Sequence, residues 1–140
     1  MHAEWIITPD GPMLVECAGR FPGDRIMDLI DLAYGWCLSR ALVDLLAGRP
    51  VELPGPALRS AAIRYLSAEP GQVVAVRGVE RARATEGVED IEVTVSRGGR
   101  VRRWESSWDR IGHVLVTADT AERARDLALR VADDVHIETA

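Results

Sequence analysis

The chain begins with two stretches in which apolar and polar residues alternate, a pattern typical of half-buried strands. Residues 3–8 and 12–18 follow this pattern, and the turn cluster TPDGP lies between them. Gly11 suits the positive φ of a short hairpin loop. The sequence therefore predicts an antiparallel β-hairpin. A turn at positions 9–11 sets three pairs opposite each other: Trp5 and Val15, Ile7 and Met13, and Glu4 and Glu16.

The following segment changes to a helical period, because apolar residues recur every three or four positions from Asp24 to Ala47. Gly35 predicts a break between two helices, and Gly48 predicts a C-terminal stop. The segment GRPVELPGPAL then holds three prolines and two glycines, which is typical of a linker. We therefore expect a first domain over residues 1–48, a linker over 49–57 and a second domain over 58–140.

In the second domain the sequence predicts six strands and a short helical or turn region near residues 79–85. It also predicts a helix over 119–134, for which Asp119 and Glu122 form a capping-box pattern. Residues 91–104 predict two strands across a Gly98–Gly99 turn. The other four strands are expected at about 59–67, 72–77, 111–117 and 135–138. The predicted fold class is α+β, with a hairpin and helices followed by a small antiparallel sheet and a C-terminal helix.

Composition narrows the possible functions. The formal net charge of -5, from 17 basic and 22 acidic residues, argues against a nucleic-acid partner. The two cysteines, Cys17 and Cys37, lack metal-ligand spacing, so we expect small core residues in a reduced, cytoplasmic protein. No apolar run approaches the roughly 20 residues of a membrane span, and MHAEWIITPD lacks the features of a signal peptide. Hence no membrane partner is predicted.

The predicted hairpin carries an acidic pair on one face. Directly opposed residues of an antiparallel pair have Cβ atoms about 4.5–5.5 Å apart, so Glu4 and Glu16 should repel each other unless a cation lies between them. Mg²⁺ takes one or two carboxylates together with phosphate oxygens, and Arg20 is the residue type that binds phosphate or carboxylate in bidentate fashion. The alternative is a solvated strand face on which Arg20 neutralises one acid.

Two segments resemble a known family. HAEWIITPDGPMLVECAGRFPGDRIMDLIDLAYGWCLSRALVDLLAG resembles the last part of the ATP-grasp domain of carboxylate-amine ligases (L-amino acid ligases) and biotin carboxylases. That region has a metal-binding Glu on one strand, a turn, the pattern E-x-N-x-R, a Gly-containing loop and a helix. AAIRYLSAEPGQVVAVRGVERA and DRIGHVLVTADTAERARDLALRVADD resemble the small β-rich domain that follows the grasp in the L-amino acid ligases.

The resemblance implies a role for particular residues. Glu4 and Glu16 match Mg²⁺ ligands that hold ATP phosphates, and Arg20 matches the arginine that stabilises the acyl-phosphate step. Gly23 and Asp24 fall where these ligases line the substrate pocket. The expected function is therefore the C-terminal fragment or subunit of an ATP-dependent carboxylate-amine ligase that acts on a small-molecule substrate.

Two departures from the family pattern qualify this function. Ala18 stands where the pattern has Asn, so one metal-ligand position is empty. The upstream part of these ligases, with its phosphate-binding lysines and adenine hinge, is not matched by any of these 140 residues, so we expect it to be absent from this chain. Mg²⁺ and ATP are thus expected only if a separate grasp half completes the site, and the isolated chain should be inactive. The expected partner is an ATP-binding chain or, through apolar surface left exposed, a second copy of this chain in a homo-oligomer. The alternative is a repurposed module that binds a small molecule or partner, or works without ATP.

Other residues have structural interpretations. Trp104 and Trp108 are expected to cap a small core, with pocket lining as the alternative. His113 lies in an apolar stretch and is expected to be a satisfied structural histidine. A solvated strand edge is predicted for three arginines: Arg100, Arg102 and Arg103.

Overall fold

The computed structural model describes residues 2–140, and these begin with the predicted hairpin. Strands β1 (His2–Thr8) and β2 (Gly11–Ala18) pair in antiparallel fashion. Gly11 has a φ of 112°, which favours glycine because it has no Cβ. The Thr8 hydroxyl donates to the Gly11 carbonyl at 2.8 Å and closes the turn.

The register of the hairpin is only partly as predicted. Glu4 is opposite Glu16, but an irregularity between Glu4 and Trp5 shifts the pairing by one residue. Beyond it, Trp5 is opposite Leu14 and not Val15. Ile7 is opposite Pro12, so the expected pair of Ile7 and Met13 is wrong, and the pair next to the turn is Thr8 and Gly11. A β-bulge is the physical reason, because one extra residue in a strand moves all later partners by one position.

Two helices follow the hairpin. They are α1 (Ile26–Tyr34) and α2 (Leu38–Leu46). Gly35 ends α1 with a φ of 59°, which confirms the predicted break. The helix begins two residues after the predicted Asp24, because the chain has positive φ at positions 24 and 25.

The rest of the chain is a mixture of short strands and helices. In chain order these are β3 (Ser60–Tyr65), β4 (Gly71–Arg77), α3 (Val79–Arg83), β5 (Val88–Val93), β6 (Arg100–Val101), a 3-10 turn (Ser107–Asp109), β7 (Gly112–Ala118), α4 (Ala121–Asp134) and β8 (His136–Thr139). One antiparallel sheet has the order β3-β7-β5 and another has the order β6-β4-β8. The predicted α+β class is confirmed.

The expected hairpin over residues 91–104 is wrong. The turn exists, since Gly99 N–H donates to the Ser96 carbonyl at 2.8 Å. However, β5 pairs with β7, whereas β6 pairs with β4. The carbonyl of Gly99 accepts from Val73 N–H, and Gly98 N–H donates to the Val73 carbonyl, both at 2.8 Å. The turn thus ties the chain to β4 and separates β5 from β6.

The core lies where α4 packs against β3 and β7. Val114 and Val116 of β7 are fully buried, and Ala128 and Val131 of α4 belong to the same apolar cluster. Helix α4 begins at the cap Thr120, whose side-chain oxygen accepts from Arg123 N–H. The expected cap Asp119 is therefore one position too early.

The N-terminal elements expose much apolar surface, although we expected small core residues at both cysteines. Cys17 and Cys37 are free and exposed. Both faces of the hairpin carry exposed large apolar side chains: Trp5, Ile6, Ile7, Met13, Leu14 and Val15. Of the helices in residues 2–140, none is long and apolar enough to cross a membrane.

Candidate functional site

The first candidate site is the acidic face of the hairpin. Glu4 and Glu16 are direct register partners, and opposed residues of an antiparallel pair project from the same face. Their side chains remain 52% and 45% exposed. This face is consequently open to a ligand from solvent or from another protein surface.

Each carboxylate of this face has a basic neighbour. His2 Nε2 lies 3.0 Å from Glu4 Oε1, and Arg20 Nη2 donates to Glu16 Oε1 at 3.0 Å. Arg20 also donates to the Phe21 carbonyl at 3.0 Å, which orients its guanidinium. The expected proximity of Arg20 to the acidic pair is therefore present. These contacts also agree with the alternative of a solvated face with a neutralising arginine.

The donor set of this face bears on metal binding. Glu4 and Glu16 offer carboxylate oxygens, which suit a hard cation such as Mg²⁺. Over residues 2–140, no group of three or more His, Cys, Asp or Glu side chains is placed to hold a metal ion. Two protein carboxylates fit the usual magnesium arrangement, in which water and substrate phosphates complete the shell. Ala18 lies opposite His2 and supplies no further oxygen.

The loop after β2 has an unusual backbone. Asp24 and Arg25 have φ values of 58° and 61°, the left-handed region that costs an ordinary residue about 1–2 kcal/mol. Gly23 lies just before them, and its carbonyl accepts from Ile26 N–H at 3.1 Å. Two consecutive residues of this kind persist only when the surrounding structure holds them.

Two distant residues hold Asp24. The Tyr65 hydroxyl donates to the Asp24 carbonyl at 2.7 Å, and Arg110 Nη1 donates to the Asp24 carboxylate. The Arg110 guanidinium also lies 3.8 Å from the centroid of the Tyr65 ring, in a cation–π arrangement. Asp24 is thus held by Tyr65 of β3 and by Arg110, which precedes β7, and it does not pair with Arg20.

Arg25 is held in the same way. Its Nη1 donates to Asp90 at 3.2 Å and lies 3.0 Å from His113 Nε2, while its Nε donates to Asp28 at 2.9 Å. His113 Nε2 lies 3.1 Å from the same Asp90 oxygen. Burial lowers the pKa of Arg25, but the hydrogen bonds and charges of Asp28 and Asp90 outweigh it and raise that pKa overall. Arg25 therefore stays charged at any ordinary pH.

The loop that contains Asp24 and Arg25 borders a cleft with a volume of about 380 Å³. Asp24, Arg25, Tyr65, Arg110 and His113 are among its lining residues. Burial raises the pKa of Tyr65, and the hydrogen bond that Arg110 donates to Asp24 raises the pKa of Arg110. Among residues 2–140, Arg110 Nε is the buried side-chain nitrogen that lacks a hydrogen-bond partner. The cleft is thus polar, with both signs of charge close together.

Some residues of these sites were predictable from the sequence and others were not. The structure brings Arg20 to Glu16 and places Asp24 at the cleft, whereas Gly23 contributes backbone to the loop between them. Tyr65, Asp90 and Arg110 were missed, because they lie 41, 65 and 86 residues from their partners in the loop. The expected structural role of His113 is accurate in that its ring is buried and has polar neighbours. A polar residue within an apolar strand was the available signal.

The second half of the chain matches a known protein family. Residues 64–140 match the family model of the L-amino acid ligase C-terminal domain 2. This chain belongs to that family. The L-amino acid ligase C-terminal domain 2 accounts for β4 to β8 and for all of α4. The predicted resemblance to the C-terminal part of an ATP-grasp carboxylate-amine ligase is confirmed.

Similar proteins extend this likeness over nearly the whole chain. The uncharacterized protein y4rH of Sinorhizobium fredii is 29% identical over 135 residues, which are 96% of this chain and 28% of that protein. Phosphoribosylglycinamide synthetase from Anaerococcus prevotii has a TM-score of 0.82 at 13% identity, and L-amino acid ligase from Bacillus licheniformis has 0.81 at 16%. N5-carboxyaminoimidazole ribonucleotide synthetase from Thermotoga maritima has 0.62 at 22%.

The coverage of these structures is uneven. Each solved structure is matched over 99% of this chain but over only 36% of its own length. The chain thus spans about a third of those proteins and less of the Sinorhizobium relative. At these identities the likeness establishes a shared fold.

Proposed function

We propose that this chain acts as the C-terminal part of an ATP-dependent carboxylate-amine ligase. In this role Glu4 and Glu16 hold Mg²⁺ against the ATP phosphates, and Arg20 stabilises the acyl-phosphate step. Gly23 and Asp24 line the pocket of a small-molecule substrate. The membership of the L-amino acid ligase C-terminal domain 2 family supports this class of reaction.

One observation carries the proposal. Glu4 and Glu16 lie opposite each other on an exposed strand face, and Arg20 is hydrogen-bonded to Glu16 at 3.0 Å. Two carboxylates beside a guanidinium form a set that can bind a divalent cation and an adjoining phosphoryl group. When bound, Mg²⁺ would neutralise the charge of the phosphates. Arg20 would contact the same phosphoryl group by giving up its hydrogen bond to Glu16.

ATP would come to this site with another protein surface. Phosphoryl transfer depends on positioning and charge neutralisation from several sides, and the acidic face forms one side. A partner chain that binds ATP would supply the others. The exposed apolar side chains of the hairpin support such an association. Two free exposed cysteines suit a reducing compartment, so we place the protein in the cytoplasm.

A specific residue favours a second candidate function. Ala18 stands where the family pattern has a ligand Asn, and both acids already have basic neighbours in His2 and Arg20. A module repurposed to bind a small molecule or partner without ATP would need no second metal ion. The two candidates differ in whether the acidic face takes part in turnover.

A chimera tests the ligase function. This chain replaces the matched C-terminal region of the Bacillus licheniformis L-amino acid ligase, and amino-acid-dependent release of ADP is measured. The chimera should release ADP, and Glu16→Gln within it should abolish that release. Glu69→Gln is the matched control, since Glu69 is an exposed acid in the turn after β3. The isolated chain should release no ADP.

The outcomes separate the two candidates. A folded chimera that releases no ADP, or one in which Glu16→Gln behaves like Glu69→Gln, would remove the ligase role of the acidic face. Circular dichroism and a cooperative melt establish that the chimera is folded. ADP release by the isolated chain would contradict the proposed need for another protein surface.

A further inference from the structure

Within the described part of the chain, some arginines form ion pairs with carboxylates and others do not. All 17 basic residues are arginine, and among residues 2–140 ten of them form ion pairs with carboxylates. Four of the other seven lie within one exposed stretch: Arg97, Arg100, Arg102 and Arg103. In a protein with a net charge of -5, this stretch is a local concentration of uncompensated positive charge.

Two tryptophans next to these arginines are exposed. Trp108 is 95% exposed, so the expectation that it caps a small core is wrong. Trp104 is 48% exposed and borders a small cavity together with the core residues Leu66, Val101 and Ile111. Tryptophan is usually well buried because its ring is large and apolar. An almost fully exposed ring beside unpaired arginines has the composition of a binding hot spot, since Trp and Arg are the enriched residue types there.

The turn that presents Trp108 is well ordered by hydrogen bonds. The Ser106 hydroxyl oxygen accepts from Trp108 N–H at 3.2 Å, and the Asp109 carboxylate accepts from Ser106 N–H at 2.9 Å. Asp109 also accepts from the Ser106 hydroxyl and from Glu105 N–H. Its carboxylate is thus held inside the capping box, and the charge of Arg102 also contributes to lowering the pKa of Asp109, so Asp109 offsets part of the Arg102 charge.

The arginines also flank a free sheet edge. Strand β6 is the outer strand of the order β6-β4-β8, and over the described residues only one side of it is paired. Arg100 and Arg102 line a small cavity of about 180 Å³ together with Trp108. The cavity also contains Asp109 and Arg110, whose charges are engaged with Ser106 and Asp24. We call the set of Arg97, Arg100, Arg102, Arg103, Trp104 and Trp108 the arginine-tryptophan edge.

We propose that the arginine-tryptophan edge binds an extended, acidic segment of a partner protein. The segment adds a strand beside β6, its carboxylates pair with Arg100 and Arg102, and an apolar side chain contacts Trp108. A peptide backbone can use the free hydrogen-bonding groups of the edge, which a nucleic acid or a lipid surface does not do. The proposal is independent of the ligase function, because it uses none of the hairpin residues.

Fluorescence anisotropy tests the proposal on the full chain. The probe is a labelled peptide of alternating Glu and Val with about six residues, the length of an ordinary strand. Its controls are the same peptide with Gln for Glu and the same peptide with N-methylated backbone. The test variant is Arg100→Gln/Arg102→Gln. The matched variant is Arg64→Gln/Arg130→Gln, which removes two exposed arginines that are also without ion pairs over residues 2–140.

The Glu peptide should bind saturably to the wild-type chain. Arg100→Gln/Arg102→Gln should weaken this binding about tenfold or more, and the matched variant should leave it unchanged. The Gln peptide and the N-methylated peptide should bind poorly. Absence of saturable binding, equal loss in both double variants, or equal binding of either control peptide would overturn it. Tighter binding of a short oligothymidylate or of phosphatidylserine vesicles would overturn the assignment to a protein partner. None of these results depends on ADP release.

Discussion

Tyr65 and Asp24 are 41 residues apart in sequence, and a 2.7 Å hydrogen bond joins the hydroxyl of one to the carbonyl of the other. This bond holds the first of two consecutive non-glycine residues with positive φ. It links the loop that carries Arg20 to the sheet β3-β7-β5. The orientation of the proposed substrate loop therefore depends on residues of the second half of the chain.

The first prediction concerns this bond. Tyr65→Phe should lower the free energy of unfolding by about 1 kcal/mol, because it removes one hydrogen bond but keeps the ring under Arg110. Chemical denaturation followed by circular dichroism measures the change. Tyr34→Phe is the control, since Tyr34 is partly exposed at the end of α1. Equal stability of wild type and Tyr65→Phe would show that the loop is held by its other contacts alone.

The second prediction concerns pH and Asp109. Backbone N–H of Glu105 and the hydroxyl of Ser106 are the main causes that lower the pKa of Asp109 in the folded chain. A depressed folded pKa gives stability that is present above the unfolded pKa and lost as pH falls through the folded one. Asp109→Asn should therefore lower the thermal midpoint at neutral pH, and the difference should shrink as pH falls below about 4.

Thermal melts of wild type and Asp109→Asn across this pH range provide the measurement. Asp10→Asn is a suitable control, because Asp10 lies exposed in the hairpin turn. A destabilisation of Asp109→Asn that is constant from neutral to acid pH would contradict a role of the charged carboxylate in the capping box.

The third prediction concerns metal binding at the acidic face. Millimolar Mg²⁺ or Mn²⁺ should raise the thermal midpoint slightly, since a ligand at its dissociation constant stabilises the folded state by about 0.4 kcal/mol. Glu4→Gln should flatten this response, because it removes one of two ligands. Ala18→Asn should enlarge it by adding an amide oxygen beside Glu16. Identical melts of wild type and Glu4→Gln, with and without metal, would mean that the carboxylates are simply solvated.

The fourth prediction concerns self-association. Ile7 is 81% exposed on the hairpin, within an apolar surface that a monomer rarely leaves uncovered. The purified chain should associate at high micromolar concentration, and Ile7→Lys should reduce the association. Sedimentation velocity measures it, with Leu53→Lys as a control at an equally exposed residue outside the hairpin. A wild-type chain that remains monomeric at these concentrations would disprove the expectation.

The fifth prediction concerns Gly78, which precedes α3. Its φ is 84°, and a Cβ there would lie 1.9 Å from the carbonyl oxygen of Asp134. Gly78→Ala should cost more than about 2 kcal/mol of stability, because both the backbone conformation and the close approach exclude a side chain. Gly55→Ala should be nearly neutral, since that position is open and has no positive φ. Denaturation midpoints of the two variants decide the comparison.

Local patterns in the sequence were sufficient for the separate elements. Alternation predicted the hairpin, and helical spacing with Gly35 predicted two helices and their break. The opposition of Glu4 and Glu16 was also predictable, because it depends on a short turn whose residues are adjacent in sequence. The resemblance of the second half of the chain to the L-amino acid ligases was also present in its sequence, and the family match over residues 64–140 confirmed it.

The tertiary structure decided which distant residues meet. The bulge beside Trp5, the separation of β5 from β6 into different sheets, and the exposure of Trp108 follow from packing and long-range pairing. No periodicity indicates that Tyr65 and Arg110 would hold Asp24 in a left-handed conformation. Periodicity in a sequence reports which face of an element is buried, whereas contacts over 41 and 86 residues exist only after those faces have packed together.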